Sequence, residues 1–132
     1  MSHSATSCCI LLAALAISGC GTSTDRAQVQ RTAQRFADAV ARHDGATACA
    51  QLSPDLRAQL VKDESATCTR AILQLQLHGR RATEVRVYAT SALARLAGGD
   101  TMFLGDTAQG WRLDAIGCRP KPGAPYDCEE DS

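Results

Sequence analysis

The sequence predicts an α+β domain, on three observations. Apolar residues recur at helical spacing through the first half, the period shortens to two from Ala82 onward, and Gly98-Gly99-Asp100 together with residues 105–110 punctuates that alternating half with hairpin turns. Helices followed by a meander pack on one face of their sheet, so the expected architecture is N-terminal helices laid on a four-stranded antiparallel sheet.

Each element has its own local reason. Val29, Ala33, Phe36, Ala37 and Val40 share one helical face, with Thr24 or Asp25 as a cap and Asp44-Gly45 as a stop. Residues 47–52 read as a short helix. Ser53-Pro54 then supplies an N-cap followed by proline at the first helical position, opening a helix to about Lys62 whose buried stripe is Leu56 and Leu60. Ser65 caps a further helix with Cys68, Ile72 and Leu75 on one face, ending at His78-Gly79. In the second half, Val85, Val87 and Ala89 alternate with Glu84, Arg86 and Tyr88 as a first strand. Residues 91–97 and 101–104 are the second and third strands. Trp111, Leu113, Ala115 and Gly117 line one face of a fourth, which stops at Cys118 before a proline-rich tail that cannot join a sheet.

The N-terminus carries an address. Residues 8–17 are apolar throughout, too short for the roughly 20 residues a spanning helix needs, and Ile17-Ser18-Gly19-Cys20 closes the run. That tetrapeptide resembles a bacterial lipobox, although no Lys or Arg precedes Arg26. The expectation is a signal peptide over residues 1–19, a lipidated Cys20 carrying palmitate-type chains, a flexible tether over residues 20–24 and one domain over residues 25–132. Two acyl chains hold a protein on a bilayer where one does not. The chain would then sit on the extracytoplasmic face of the cell membrane.

Charge and cysteines narrow the partners. The 14 basic and 14 acidic residues balance, which offers no argument for nucleic acid. Of seven cysteines, Cys8 and Cys9 leave with the signal and Cys20 takes lipid, so Cys49, Cys68, Cys118 and Cys128 remain for two disulfides in an exported domain. Three pairings are open. Cys49–Cys68 with Cys118–Cys128 is favoured because each links neighbouring segments across a modest loop. Zinc is disfavoured, since no two of these thiols stand two to four residues apart, and no metal or cofactor is expected.

Several stretches together resemble the small exported NTF2-like proteins of actinobacteria. They are Cys49-Ala50-Gln51-Leu52-Ser53-Pro54, Asp100-Thr101-Met102-Phe103-Leu104, Gly110-Trp111-Arg112-Leu113 running into Ala115-Ile116-Gly117-Cys118, and Pro125-Tyr126-Asp127-Cys128-Glu129. The resemblance covers most of the chain after Cys20 and implies a cone-shaped α+β fold of the cystatin-like group, with no settled activity. Dimers are frequent in that superfold. A disulfide from the last strand to Cys128 would hold the tail as a clasp and let Tyr126 cover apolar surface.

NTF2-like cones include enzymes that set an acid or histidine in an apolar pocket, where desolvation shifts its pKa. His43 and His78 fall in predicted last helical turns and read as caps, and Asp100 and Asp106 read as turn residues. Asp114, in mid-strand and two residues after Arg112, is the one weak catalytic candidate, with a solvated ion pair as its competing reading. Arg86, Arg95 and Arg112 lie on polar strand faces and are candidate anion ligands, since guanidinium forks suit phosphate and carboxylate. The leading expectation is a membrane-anchored binding module for a small ligand or an envelope protein. Two others stand beside it: an enzyme acting on a small apolar substrate, and a structural envelope protein without a ligand.

Overall fold

The computed structural model describes residues 21–132. The expected signal peptide over residues 1–19 and Cys20 lie outside the described residues. Four helices come first: α1 (Gly21–Ala41), α2 (Gly45–Ala50), α3 (Pro54–Glu64) and α4 (Cys68–Ala71), the last running into a 3-10 turn over Ile72–Gln74. The strands β1 (Ala82–Tyr88), β2 (Ser91–Leu96), β3 (Thr101–Thr107), β4 (Gly110–Lys121), β5 (Ala124–Asp127) and β6 (Glu130–Asp131) follow. They form one antiparallel sheet of order β1-β2-β3-β4-β5, with β6 also on β4.

The sheet therefore has six strands rather than four, because the tail joins it. Pro120 falls at a register shift between Arg119 and Lys121, and Pro125 sits between the paired positions Ala124 and Asp127 of a marginal strand. A missing N–H costs little at such places.

Helix α1 crosses β1, β2 and β4, burying Val29, Ala33, Phe36 and Ala37 against Ala92, Ala94, Leu96, Met102, Leu104, Trp111 and Leu113. Its described part runs from Gly21, so residues 21–24, expected as a tether, are helical. Asp25 does not cap it; the carboxylate accepts from the Trp111 indole N–H at 3.3 Å. Asp44 proves to be a start signal: α1 has ended at Ala41, and Asp44 accepts from the Thr47 N–H at 3.0 Å as the N-cap of α2. Gly45 then meets the Thr69 carbonyl so closely that a Cβ would collide with backbone, which lets the Cys49–Cys68 bridge close.

The Ser53-Pro54 signal is borne out, with Ser53 Oγ accepting from the Leu56 N–H at 3.2 Å and both Leu56 and Leu60 fully buried. Ser65 ends α3 in the left-handed region (φ 47°) and caps nothing further. Because α4 lasts only four residues, Leu75 is extended and His78 lies beyond any helix.

Strand β3 runs to Thr107, so Gly105 is in the strand and the turn falls at residues 108–109. Trp111, Leu113 and Ala115 share the core face as expected, but Gly117 (φ 64°) breaks the alternation. Thr101 pairs with Cys118 and Phe103 with Ala115, two residues against three, and the extra residue turns Ile116 into the core as well.

Candidate functional site

Both favoured disulfides are present, Cys49–Cys68 and Cys118–Cys128. The first ties α2 to α4. The second ties β4 to the tail, where Tyr126 meets the Phe103 ring edge-on at a centroid distance of 4.8 Å, as the clasp reading expects.

The three candidate anion ligands Arg86, Arg95 and Arg112 do not gather into one site. Glu84 takes Arg86 at 2.6 Å and Arg95 at 2.9 Å, because β1 pairs with β2 so that Glu84 faces Arg95 while Arg86 faces Leu93. Tyr88 first and Glu84 second raise the Arg86 pKa above its ordinary value, so both arginines are committed. Asp114 is half-buried on the face of the sheet away from the helices, its carboxylate against Gly105, and lines none of the cavities described below. No ion pair joins it to Arg112 among the described residues, and Arg112 Nη1 donates instead to the Trp111 carbonyl at 3.0 Å. His43, outside the helix at φ 57°, gives its backbone N–H to the Val40 carbonyl, so it ends α1 through its backbone and not through its ring.

Asp100 is more than a turn residue. It is 1% exposed and its carboxylate takes the His78 N–H at 2.6 Å, His78 Nδ1 at 3.3 Å and Arg119 Nε at 2.9 Å. His78 thus fastens the loop after the 3-10 turn to the β2–β3 hairpin, where Gly79 and Gly98 pass backbone against backbone. The neighbouring Thr101 hydroxyl is fully buried with no hydrogen-bond partner among the described residues.

Arg112 belongs to a different constellation from the one its strand position suggested. A cavity of about 250 Å³ lies between the outer face of α1 and the start of β4, lined by Gln28, Arg31, Thr32, Arg35, Gln109 and Arg112. Arg31 and Arg35 stand one helical turn apart and are exposed. Among the described residues no carboxylate pairs with Arg31, Arg35 or Arg112. Thr32 Oγ1 also donates to the Trp111 carbonyl, at 3.3 Å, so α1 and β4 hold the walls in place.

A second groove of about 610 Å³ adjoins it and shares Gln109 and Arg112. Its other walls are Ala50, Leu52, Pro54, Arg57, Ala58 and Val61. Leu52 is fixed there by a parallel bridge to Leu113, whose N–H goes to the Gln51 carbonyl at 2.9 Å and whose carbonyl takes the Ser53 N–H at 2.8 Å. Arg57 Nη2 donates to the Cys49 carbonyl at 2.7 Å.

A notch of about 720 Å³ lies between the start of α1 and β1, lined by Thr22, Ser23, Arg26, Gln30, Glu84 and Val85. Between the helices and the sheet, Phe36, Leu52, Leu56, Leu60, Ile72, Leu96, Met102, Leu104, Leu113 and Ile116 are all fully or almost fully buried in one cluster. No group of three His, Cys, Asp or Glu side chains among the described residues is placed to hold a metal ion.

Sequence reasoning missed Arg31, Arg35 and Arg57. The first two were legible as an i, i+4 pair on the polar face of α1, but such a pair ordinarily marks a solvated surface, and only the tertiary fold brings Arg112 opposite. No protein-family model, curated protein or solved structure matches the chain.

Proposed function

We propose that the chain is an exported, lipid-anchored binding module of NTF2-like type, and that it recognises an anionic group with Arg31, Arg35 and Arg112. The observation that carries this reading is that three arginines line one cavity and that none of them pairs with a carboxylate among the described residues. Like charges brought together without a partner repel, so their gathering is best compensated by a bound anion, and the planar fork gives bidentate contact to phosphate or carboxylate. Gln28, Thr32 and Gln109 add neutral polar groups around the same volume.

The anchor reading draws support from the lipobox and from the two cystines, which suit an oxidising compartment. No helix of the described residues is long and apolar enough to cross a membrane. Helices ahead of a meander, with α1 laid across β1, β2 and β4, support the NTF2-like assignment.

Titration calorimetry with inorganic phosphate tests the site. The triple change Arg31→Gln, Arg35→Gln and Arg112→Gln is expected to abolish the binding heat, while Arg86→Gln and Arg95→Gln leave it intact. Equal binding by the triple variant ends the assignment. Separately, Cys20→Ser is expected to move the protein from the membrane fraction to the medium, and unchanged retention counts against lipidation.

A further inference from the structure

Helix α3 carries apolar side chains on two stripes. Leu56 and Leu60 enter the core, whereas Pro54, Ala58 and Val61 stand on the opposite, exposed side. Val61 is 39% exposed, one of two large hydrophobic side chains left open to solvent among the described residues. These three, with Ala50 and Leu52, make the apolar part of the 610 Å³ groove, and its end is the Arg112 that also walls the arginine cavity. The two depressions thus meet at Gln109 and Arg112, the one arginine-lined and the other mostly apolar. Exposed apolar surface rimmed by charge in this way marks a binding site more than a solvated face.

We infer that the ligand is a single-chain anionic amphiphile, with its phosphate or carboxylate between Arg31, Arg35 and Arg112 and its alkyl chain along Pro54, Ala58 and Val61. This rests on the anion-binding reading above and adds the chain to it. Charge complementarity fixes the sign of the headgroup, since the arginines lining the cavity have no carboxylate partner among the described residues. The groove selects the tail, because Pro54, Ala58 and Val61 offer no hydrogen bond to a sugar-like group and the Arg57 beside them is already tied to the Cys49 carbonyl. The floor is held in place, with Leu52 flanked by the hydrogen bonds of Gln51 and Ser53 to Leu113 and Arg57 tied to the Cys49 carbonyl, so the chain meets a preformed surface and loses little affinity to ordering.

The test uses the chain carrying Cys20→Ser and three probes: octyl phosphate below its micelle-forming concentration, inorganic phosphate, and octyl glucoside. Calorimetry gives affinities, and the emission of Trp111, the only tryptophan, reports occupation of the arginine end. Octyl phosphate is expected to bind at least tenfold more tightly than inorganic phosphate, an advantage that about two buried methylenes supply. Octyl glucoside should bind more weakly than octyl phosphate by a similar factor.

Val61→Asp is expected to erase the tenfold advantage while leaving phosphate affinity unchanged; Arg31→Gln with Arg35→Gln weakens both anionic probes. Both changes are at exposed positions. If octyl phosphate binds no better than phosphate, the amphiphile is overturned while the anion site survives. If neither binds, the anion reading itself has failed. Equal affinity for octyl glucoside, or binding that starts only with micelles, overturns the inference in favour of a plain apolar patch or a membrane surface.

Discussion

Asp100 holds three donors while almost fully removed from water. A buried carboxylate is tolerable only when paired and hydrogen-bonded, and here the partners come from the loop at His78 and from β4 at Arg119, both themselves about half exposed. Asp100→Ala removes one acceptor shared by two segments and should cost about 2 kcal/mol, the scale of hydrogen bonds to a charged group. Urea unfolding checks this as a lower midpoint at unchanged slope. A shift under about 0.5 kcal/mol, the range of ordinary surface changes, would leave Asp100 an ordinary turn residue. Its sequence context, Gly98-Gly99-Asp100, announces only the turn; the donors sit 22 and 19 positions away, beyond any local pattern. Glu84 teaches the same lesson in reverse, since Arg86 two residues on was visible from strand period but Arg95 became its partner only through the β1–β2 register.

Among elements, β6 and α3 are packed against each other with the same sign of charge. Burial first, then Asp63, Glu64, Asp131 and Glu129, raises the Glu130 pKa above its ordinary value. A carboxyl whose folded pKa is raised favours the folded state while protonated. Its contribution is complete below the unfolded pKa and lost as pH climbs through the folded one, so at neutral pH the charge is a cost. Glu130→Gln should therefore raise the melting temperature at pH 7 and leave it unchanged below about pH 4, where the unfolded carboxyl is itself protonated. A stabilisation of the same size at both pH values would assign the effect to packing. Element legibility follows locality. Ser53-Pro54 and Leu56/Leu60 were readable because cap and stripe lie within one short segment. The tail was misread because its proline content spoke louder than Cys128, which delivers β5 and β6 to β4. Likewise the end of α4 has no local marker, which is why His78 was placed on a helix it does not reach.

At the scale of the molecule, a core of this size leaves little stability in reserve, and the two cystines carry a large share. Each is worth about 3 kcal/mol on the loop-entropy account, together a substantial part of the roughly 5–15 kcal/mol a domain has. Reductant should thus lower the unfolding midpoint steeply, seen in Trp111 emission, and the oxidised protein should weigh four hydrogens less than the reduced one. An unchanged midpoint after reduction would show that packing alone suffices. The fold class and both cystines were readable from the chain, whereas the arginine cavity was not, because its walls meet only after α1 has crossed the sheet. One consequence lies at the sheet's margin. Along the outer side of β4, Leu52, β6 and β5 in turn occupy the backbone groups that another chain would need. Among the described residues β1 is then the one long open rail, since β5 and β6 offer only four and two residues, and a molecule with one long rail joins a second copy there more readily than it grows a fibril.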